Sequence, residues 1–283
     1  MFLTEKFAFL HIPKTGGTFV HFHLRKIYAK TFLSKCAHSL RSKYGIALPF
    51  IRYSYLELPK HTVRRELNRL NGKIPIIACI RNPFDVYISQ YKFGWWLQFP
   101  DKWFADPQRV VAEFGELSRF DFEAFMKSTL RYSHWAETTR SSRKLLGPLS
   151  AEWIRYFVRD PSHCLRCNSD EELVSNVRAE LESVTLLRTE TLARDLCNFL
   201  RPLGICPAAL DDIISSCQIF PGPQTRFWED TKENLLSAEL TKELLEAEWL
   251  MFTLFPEYQP TGGIESNWQA KCGSTEPKRL PVT

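Results

Sequence analysis

Hydrophobic positions along this chain follow two rhythms, and the change from one to the other marks where strands give way to helices. Phe7-Ala-Phe-Leu-His-Ile12 is an almost unbroken apolar run, the pattern of a strand covered on both faces. Polar and glycine residues interrupt it from Pro13, and Thr18 to about Phe32 reads as the helix that follows. The same order returns at Ile74-Pro-Ile-Ile-Ala-Cys-Ile80, rich in β-branched residues, with Pro75 near its start where a missing N–H is tolerated. Asn82 and Pro83 then open a helix as N-cap and first helical residue, and Asp85 adds a negative charge to its first turn.

Weaker signals fill in the rest. A short strand is expected to end near Lys35-Cys36-Ala37-His38. Residues 62–71 carry Val63, Leu67 and Leu70 on one helical face, closed by Gly72. Residues 107–160 look largely helical. Val184-Thr-Leu-Leu-Arg188 reads as a strand, followed by a helix over 190–201 with Leu192, Leu196, Phe199 and Leu200 inward and Gly204 just beyond it. One amphipathic helix is expected over about 237–254. From Pro260 the chain turns to Pro, Gly, Ser and Thr, the composition of an extended or mobile tail. Alternating strands and helices predict an α/β fold: three layers, a central parallel sheet flanked by helices, and a helix-rich C-terminal half. Residues 1–259 are expected to form a single domain, with 260–283 as the tail, since 283 residues do not demand two cores.

Composition narrows the partners. The net charge of +5 is spread along the chain without a basic block, which disfavours nucleic acid and suits a small anionic ligand. No run of 18 apolar residues exists and Glu5 breaks any leader-like start, so neither a membrane anchor nor a signal peptide is expected, and the cytoplasm is the expected location. Eight cysteines at irregular spacing read as reduced structural thiols. Cys164-Leu-Arg-Cys167 after His163 is the one pair with metal-like spacing, but no second pair completes a ligand set.

The chemistry concentrates in Lys14-Thr-Gly-Gly-Thr18, between the first apolar strand and its helix. Adjacent glycines let backbone N–H groups approach an anion, the helix N-terminus favours negative charge, and Lys14 adds a cation. A Walker A loop places its lysine after the glycines, whereas Lys14 precedes Gly16 and Gly17. Arg81, at the carboxyl end of its strand, and Ser89, about two turns into the next helix, can hold a second phosphate in the crevice at the strand ends. Phe93 to Phe104 contains six aromatic side chains, which read equally as a hydrophobic seam or as the wall of an acceptor pocket.

Taken together, His11-Ile-Pro-Lys-Thr-Gly-Gly-Thr18 and Ile80-Arg-Asn-Pro-Phe-Asp-Val-Tyr-Ile-Ser89 resemble the two cofactor motifs of the P-loop sulfotransferases that use 3′-phosphoadenosine 5′-phosphosulfate (PAPS). Leu186 to Asp195 and Phe255 to Tyr258 resemble that family's C-terminal half more loosely. The resemblance implies a P-loop-like fold and in-line transfer of a sulfuryl group to a hydroxyl or amine, without a metal. Lys14 would stabilise charge on the bridging oxygen of the leaving nucleotide, 3′-phosphoadenosine 5′-phosphate (PAP). Thr15, Gly16, Gly17 and Thr18 would hold the 5′-phosphate, and Arg81 and Ser89 the 3′-phosphate, with Arg226 on a loop closing over it.

The acceptor must lose a proton, which calls for a base. His38 is the first candidate and His61 the second. Some relatives use a glutamate on the first helix, but none lies between Thr18 and Phe32. His11 reads as structural, while His21 and His23 face either the pocket or solvent. Val86 stands where many relatives carry arginine, so a neighbouring contact is either missing or supplied by Arg25 or Lys92. The aromatic segment suggests a small-molecule acceptor, such as a secondary metabolite. The rival readings are a P-loop kinase-like phosphotransferase and a non-catalytic anion-binding interaction protein.

Overall fold

The computed structural model describes residues 1–28, 55–59, 61, 63–68, 74–134, 146–216 and 235–260. The strand expected to end at 35–38, the closing turn of the 62–71 helix, and the tail beyond Pro260 lie outside them, as do His38 and Arg226.

Five strands form one mixed sheet: β1 (Phe2–Thr4), β2 (Ala8–Leu10), β3 (Tyr55–Glu57), β4 (Ile76–Ile80) and β5 (Val184–Arg188), in the order β3-β1-β2-β4-β5. β2, β4 and β5 pair in parallel, with Phe9 opposite Ile77 and Cys79 opposite Leu187. The sheet departs from the wholly parallel one expected, because β1 runs antiparallel to both β2 and β3. The cause is a tight turn over Glu5 and Lys6, in which the Thr4 hydroxyl accepts from the Lys6 and Phe7 N–H groups and donates to the Phe7 carbonyl. Three residues ahead of that polar break were too few to register as a strand.

Helices cover both faces. α1 (Gly17–Tyr28) follows β2, and the four-residue α2 (Arg65–Asn68) lies within the helix expected over 62–71. α3 (Pro83–Phe93) begins at Asn82, whose side chain accepts from the Phe84 N–H at 3.0 Å. It ends at Gly94, a left-handed residue at φ 67°. Next come α4 (Trp95–Gln98), α5 (Pro100–Trp103), α6 (Pro107–Phe114) and α7 (Phe122–Tyr132). Beyond them lie α8 (Pro148–Phe157), α9 (Pro161–Cys164) and α10 (Asp170–Leu181). The remaining helices are α11 (Leu192–Leu200), α12 (Pro207–Ser215), α13 (Ala238–Ala247) and α14 (Trp249–Leu254). Among the described residues no helix is long and apolar enough to cross a membrane.

Strand alternation sorts the core into two halves. Ala8, Leu10, Ile76, Ala78 and Ile80 point to one face and pack with Phe84 and Tyr87 of α3 and Trp153 and Phe157 of α8. Phe9, Ile77, Cys79 and Leu187 point to the other, against Phe19, Val20 and Leu24 of α1, Leu196 and Leu200 of α11 and Ile213 of α12. Each fully buried Phe contributes about 2–3 kcal/mol, so the sheet is held from both sides. The parallel strands then end together, and their carboxyl ends open on one cavity.

The helix expected as one piece over 237–254 is two. It breaks at Glu248, whose side chain is wholly buried and engaged elsewhere.

Candidate functional site

β2 delivers the chain into the glycine turn. Lys14 takes a left-handed conformation, φ 62°, the one non-glycine residue with positive φ among those described. Such a residue is strained by about 1–2 kcal/mol, and strain of this kind gathers at functional turns. Thr15 is buried, its hydroxyl donates to the Ile12 carbonyl at 3.1 Å, and it is not among the residues that line the cavity, so it tightens the turn from beneath. The glycines are required by space as well as by conformation. At Gly16, φ 88°, a Cβ would lie 2.7 Å from Leu192 Cδ2, and at Gly17 it would lie 2.8 Å from the buried His11 ring. α1 starts at once from this turn, so its first N–H groups face the space that the glycines leave open.

The second motif closes on the first. Arg81, at the end of β4, donates from Nη1 to the Lys14 carbonyl at 3.2 Å. Burial pulls its pKa down, with Asp85 and Glu190 opposing. Thr189, just past β5, supplies the third strand end: its hydroxyl lies 2.8 Å from the Thr15 carbonyl and 2.9 Å from that of Ile80. One side chain thus ties both turns together. Glu190 beside it accepts from the Asn82 N–H at 3.4 Å and the Tyr258 hydroxyl at 3.3 Å. Both lie in the Leu186–Asp195 stretch singled out from the sequence, and the register of β5 beside β4 shows where they sit.

These turns open on a cavity of about 1160 Å³. Lys14, Gly16, Gly17, Thr18, His61, Arg81 and Ser89 all line it, so one space gathers every cavity-facing candidate in the described residues. Basic groups outnumber acids on its wall, with Lys92, Lys102, Arg155 and Arg194 against Glu152 and Glu190. Lys92 faces the cavity, whereas Arg25 is paired with Glu57 of β3 through contacts of 2.5 and 2.6 Å. Val86, 4% exposed, belongs to the core. Of Arg25 and Lys92, Lys92 is the one on the cavity wall.

The aromatic segment divides between its two readings. Phe93, Trp95 and Trp103 line the cavity, while Trp96 and Phe104 are fully buried. The Lys14 ammonium rests 3.8 Å from the centroid of the Phe93 ring, so the glycine turn and the aromatic segment touch.

The histidines separate as sharply. His61 reaches the cavity with Nδ1 3.4 Å from the His11 carbonyl and its ring edge-on to that of His11 at 5.5 Å. His11 is 3% exposed, underlies Gly17 and lies tilted against the His21 ring at 5.1 Å. His23 faces neither pocket nor solvent: it is buried, 3.6 Å from Asp212, and burial lowers its pKa. Arg64 anchors the segment after His61 by donating to the Phe157 carbonyl at 3.0 Å, the Glu180 carbonyl at 2.8 Å and the Ser183 hydroxyl at 2.8 Å.

The far wall comes from α8. Its N-terminus has no side-chain cap of its own; instead, the Glu248 carboxylate accepts from the Leu149 N–H at 3.0 Å, the Ser150 N–H at 2.8 Å and the Ser150 hydroxyl at 2.7 Å. The Tyr87 hydroxyl of α3 adds a fourth bond at 2.5 Å. One turn further along α8, Glu152 faces the cavity with its carboxyl pushed up to about 7, chiefly by burial, with Arg155 opposing and Glu248 adding to the rise. Sequence reading missed Glu152 and Glu248. The available signals were a glutamate amid apolar residues in each of two helices, too common a pattern to single out.

Cys164 and Cys167 pack in a satellite core, with Cys167 Sγ donating to the Cys164 carbonyl at 2.7 Å and burial raising the Cys164 thiol to about 12. Among the described residues no group of three or more His, Cys, Asp or Glu side chains is arranged to hold a metal ion. No protein-family model matches this chain, and no curated protein sequence does either.

Proposed function

We propose that this chain is a PAPS-dependent sulfotransferase with a P-loop-like core, moving the sulfuryl group to a small-molecule acceptor by in-line transfer. The observation that carries this reading is the Arg81 to Lys14 hydrogen bond, which joins two motifs 67 residues apart on the wall of one cavity. The turn at Gly16-Gly17 and the first turn of α1 offer N–H groups to the 5′-phosphate. Arg81 and Ser89 line the same space from the end of β4 and from α3, and would take the 3′-phosphate by charge-assisted and hydroxyl hydrogen bonds. Lys14 carries the charge that grows on the bridging oxygen as the sulfur–oxygen bond breaks. Of the two histidines considered as base, His61 lines the cavity; Phe93, Trp95 and Trp103 provide apolar surface for the acceptor.

Calorimetric titration with PAP, and transfer from labelled PAPS to a panel of phenols, alcohols and amines, test the reading. Tight PAP binding without magnesium is expected, and ATP should bind at least tenfold more weakly. Lys14→Ala should lower transfer about a hundredfold or more while PAP affinity falls less than about tenfold. Arg81→Ala should show the opposite balance, losing about tenfold to a hundredfold in PAP affinity. Magnesium-dependent ATP binding in place of PAP, or equal effects of both variants on both quantities, would overturn the assignment.

A further inference from the structure

Glu152 stands apart from the other acidic groups around the cavity. Glu190 accepts two hydrogen bonds and Glu248 four, whereas among the described residues the Glu152 carboxyl takes part in no hydrogen bond and no ion pair. It is held in place all the same. Glu248 clamps the first turn of α8, and Tyr87 ties that clamp to α3, the helix that carries Ser89. A carboxyl on a clamped helix, with open acceptor capacity and facing a cavity whose charged lining is mostly basic, is poised to act on whatever enters.

Resting on the sulfuryl-transfer reading above, we infer that Glu152 is the group that takes the proton from an acceptor hydroxyl. In that step the acceptor oxygen bonds to sulfur and the bond from sulfur to the nucleotide's 5′-phosphate breaks. PAP departs with the electron pair, and the hydroxyl proton passes to the Glu152 carboxylate. Among the described residues, the charged and titratable groups around Glu152 are Arg155 and Tyr156 on its own helix, Tyr87 on α3, and Glu248 between α13 and α14. Burial outweighs Arg155, which puts the carboxyl near the middle of the working pH range, where a base is most effective. An ammonium-bearing acceptor would meet Lys92, Lys102, Arg155 and Arg194 on the same wall, so a hydroxyl is the better match.

The test uses the full chain. PAP release from PAPS is followed against pH with water alone and with a panel of aliphatic alcohols and sugars, alongside PAP affinity by calorimetry. The wild-type rate should climb as pH passes about 7, where Glu152 gives up its proton. Glu152→Gln should lower release about a hundredfold and flatten that climb while leaving PAP affinity within about twofold. Glu152→Asp should keep the climb at a reduced rate. A Glu152→Gln enzyme that retains both rate and pH response overturns the inference, as does loss of the response in His61→Gln alone. So does a wild-type chain that binds PAP but leaves PAPS intact with every acceptor. Failure of the wild-type chain to bind PAP would instead count against the sulfuryl-transfer reading.

Discussion

The two ends of the cavity are built by different means. At the glycine turn the backbone does the shaping: a left-handed lysine, two glycines without room for a Cβ, and a threonine hydroxyl bridging two strand ends. At the α8 wall side chains do it, through a buried carboxylate that holds a helix N-terminus, a tyrosine from α3 and a serine in one cluster. Backbone shaping tolerates no added atoms, whereas the side-chain cluster tolerates no lost partners. The first kind of end suits a ligand of fixed geometry, and the second a wall that can adjust to different shapes.

The largest effect follows from removing a partner at the second end. Glu248→Ala strips four donors of their acceptor in a fully buried site, two of them helix N-terminal N–H groups. Unfolding in urea should show a loss of about 3–5 kcal/mol. A loss below about 1 kcal/mol would mean that water or a neighbouring group replaces the carboxylate, and the clamp would lose its role.

Adding an atom at the first end comes next. Gly16→Ala combines left-handed strain with a Cβ 2.7 Å from Leu192, whereas Gly94→Ala has similar φ and nothing within 4 Å. The Gly94 variant should cost about 1 kcal/mol from conformation alone, and the Gly16 variant about 2 kcal/mol or more, with PAP affinity lost only in the latter. Equal costs would show that crowding against α11 plays no part in holding the turn.

The same contrast explains what could be read in the sequence. The glycine turn, Arg81, Asn82 and Ser89 announce themselves because backbone demands leave few residue choices, so the chemistry lies in contiguous letters. Val184–Arg188 was legible to its ends because an apolar run between helices admits one reading. The α8 wall was not legible. Glu152 and Glu248 are 96 residues apart, and each alone is an ordinary helical glutamate. The break at Glu248 arises where the carboxylate serves another helix, which no local propensity records. β1 escaped notice for a related reason, since its pairing comes from a turn made by one threonine hydroxyl.

A smaller effect concerns the stability that Glu152 forfeits. Its folded pKa, about 7, lies above the ordinary 4.5, so the folded chain holds that proton more tightly than the unfolded one. The contribution is therefore present in acid and is lost as pH rises from about 4.5 through about 7. Glu152→Gln carries no charge at any pH and should exceed the wild type by about 1–2 kcal/mol near pH 8, after allowing for solvent at the cavity wall, and match it near pH 4. Urea midpoints at the two pH values make the comparison. An offset that does not change with pH would place its origin in packing and not in the carboxyl charge.

The smallest effect sits beside the first end, where the Lys14 ammonium rests on the Phe93 ring. Phe93 lies at the end of α3, so the ring belongs to the aromatic wall while the charge belongs to the glycine turn. If the ring acts through the ammonium, Phe93→Leu should weaken PAP binding by about 0.5–1 kcal/mol, a few-fold change, and should do nothing once Lys14 is already methionine. A double-mutant cycle on PAP affinity reads that coupling directly. Equal effects of Phe93→Leu in both backgrounds would reduce the ring to bulk apolar surface, and the glycine turn would then owe its geometry to Arg81, Thr189 and its own backbone, independent of the aromatic wall.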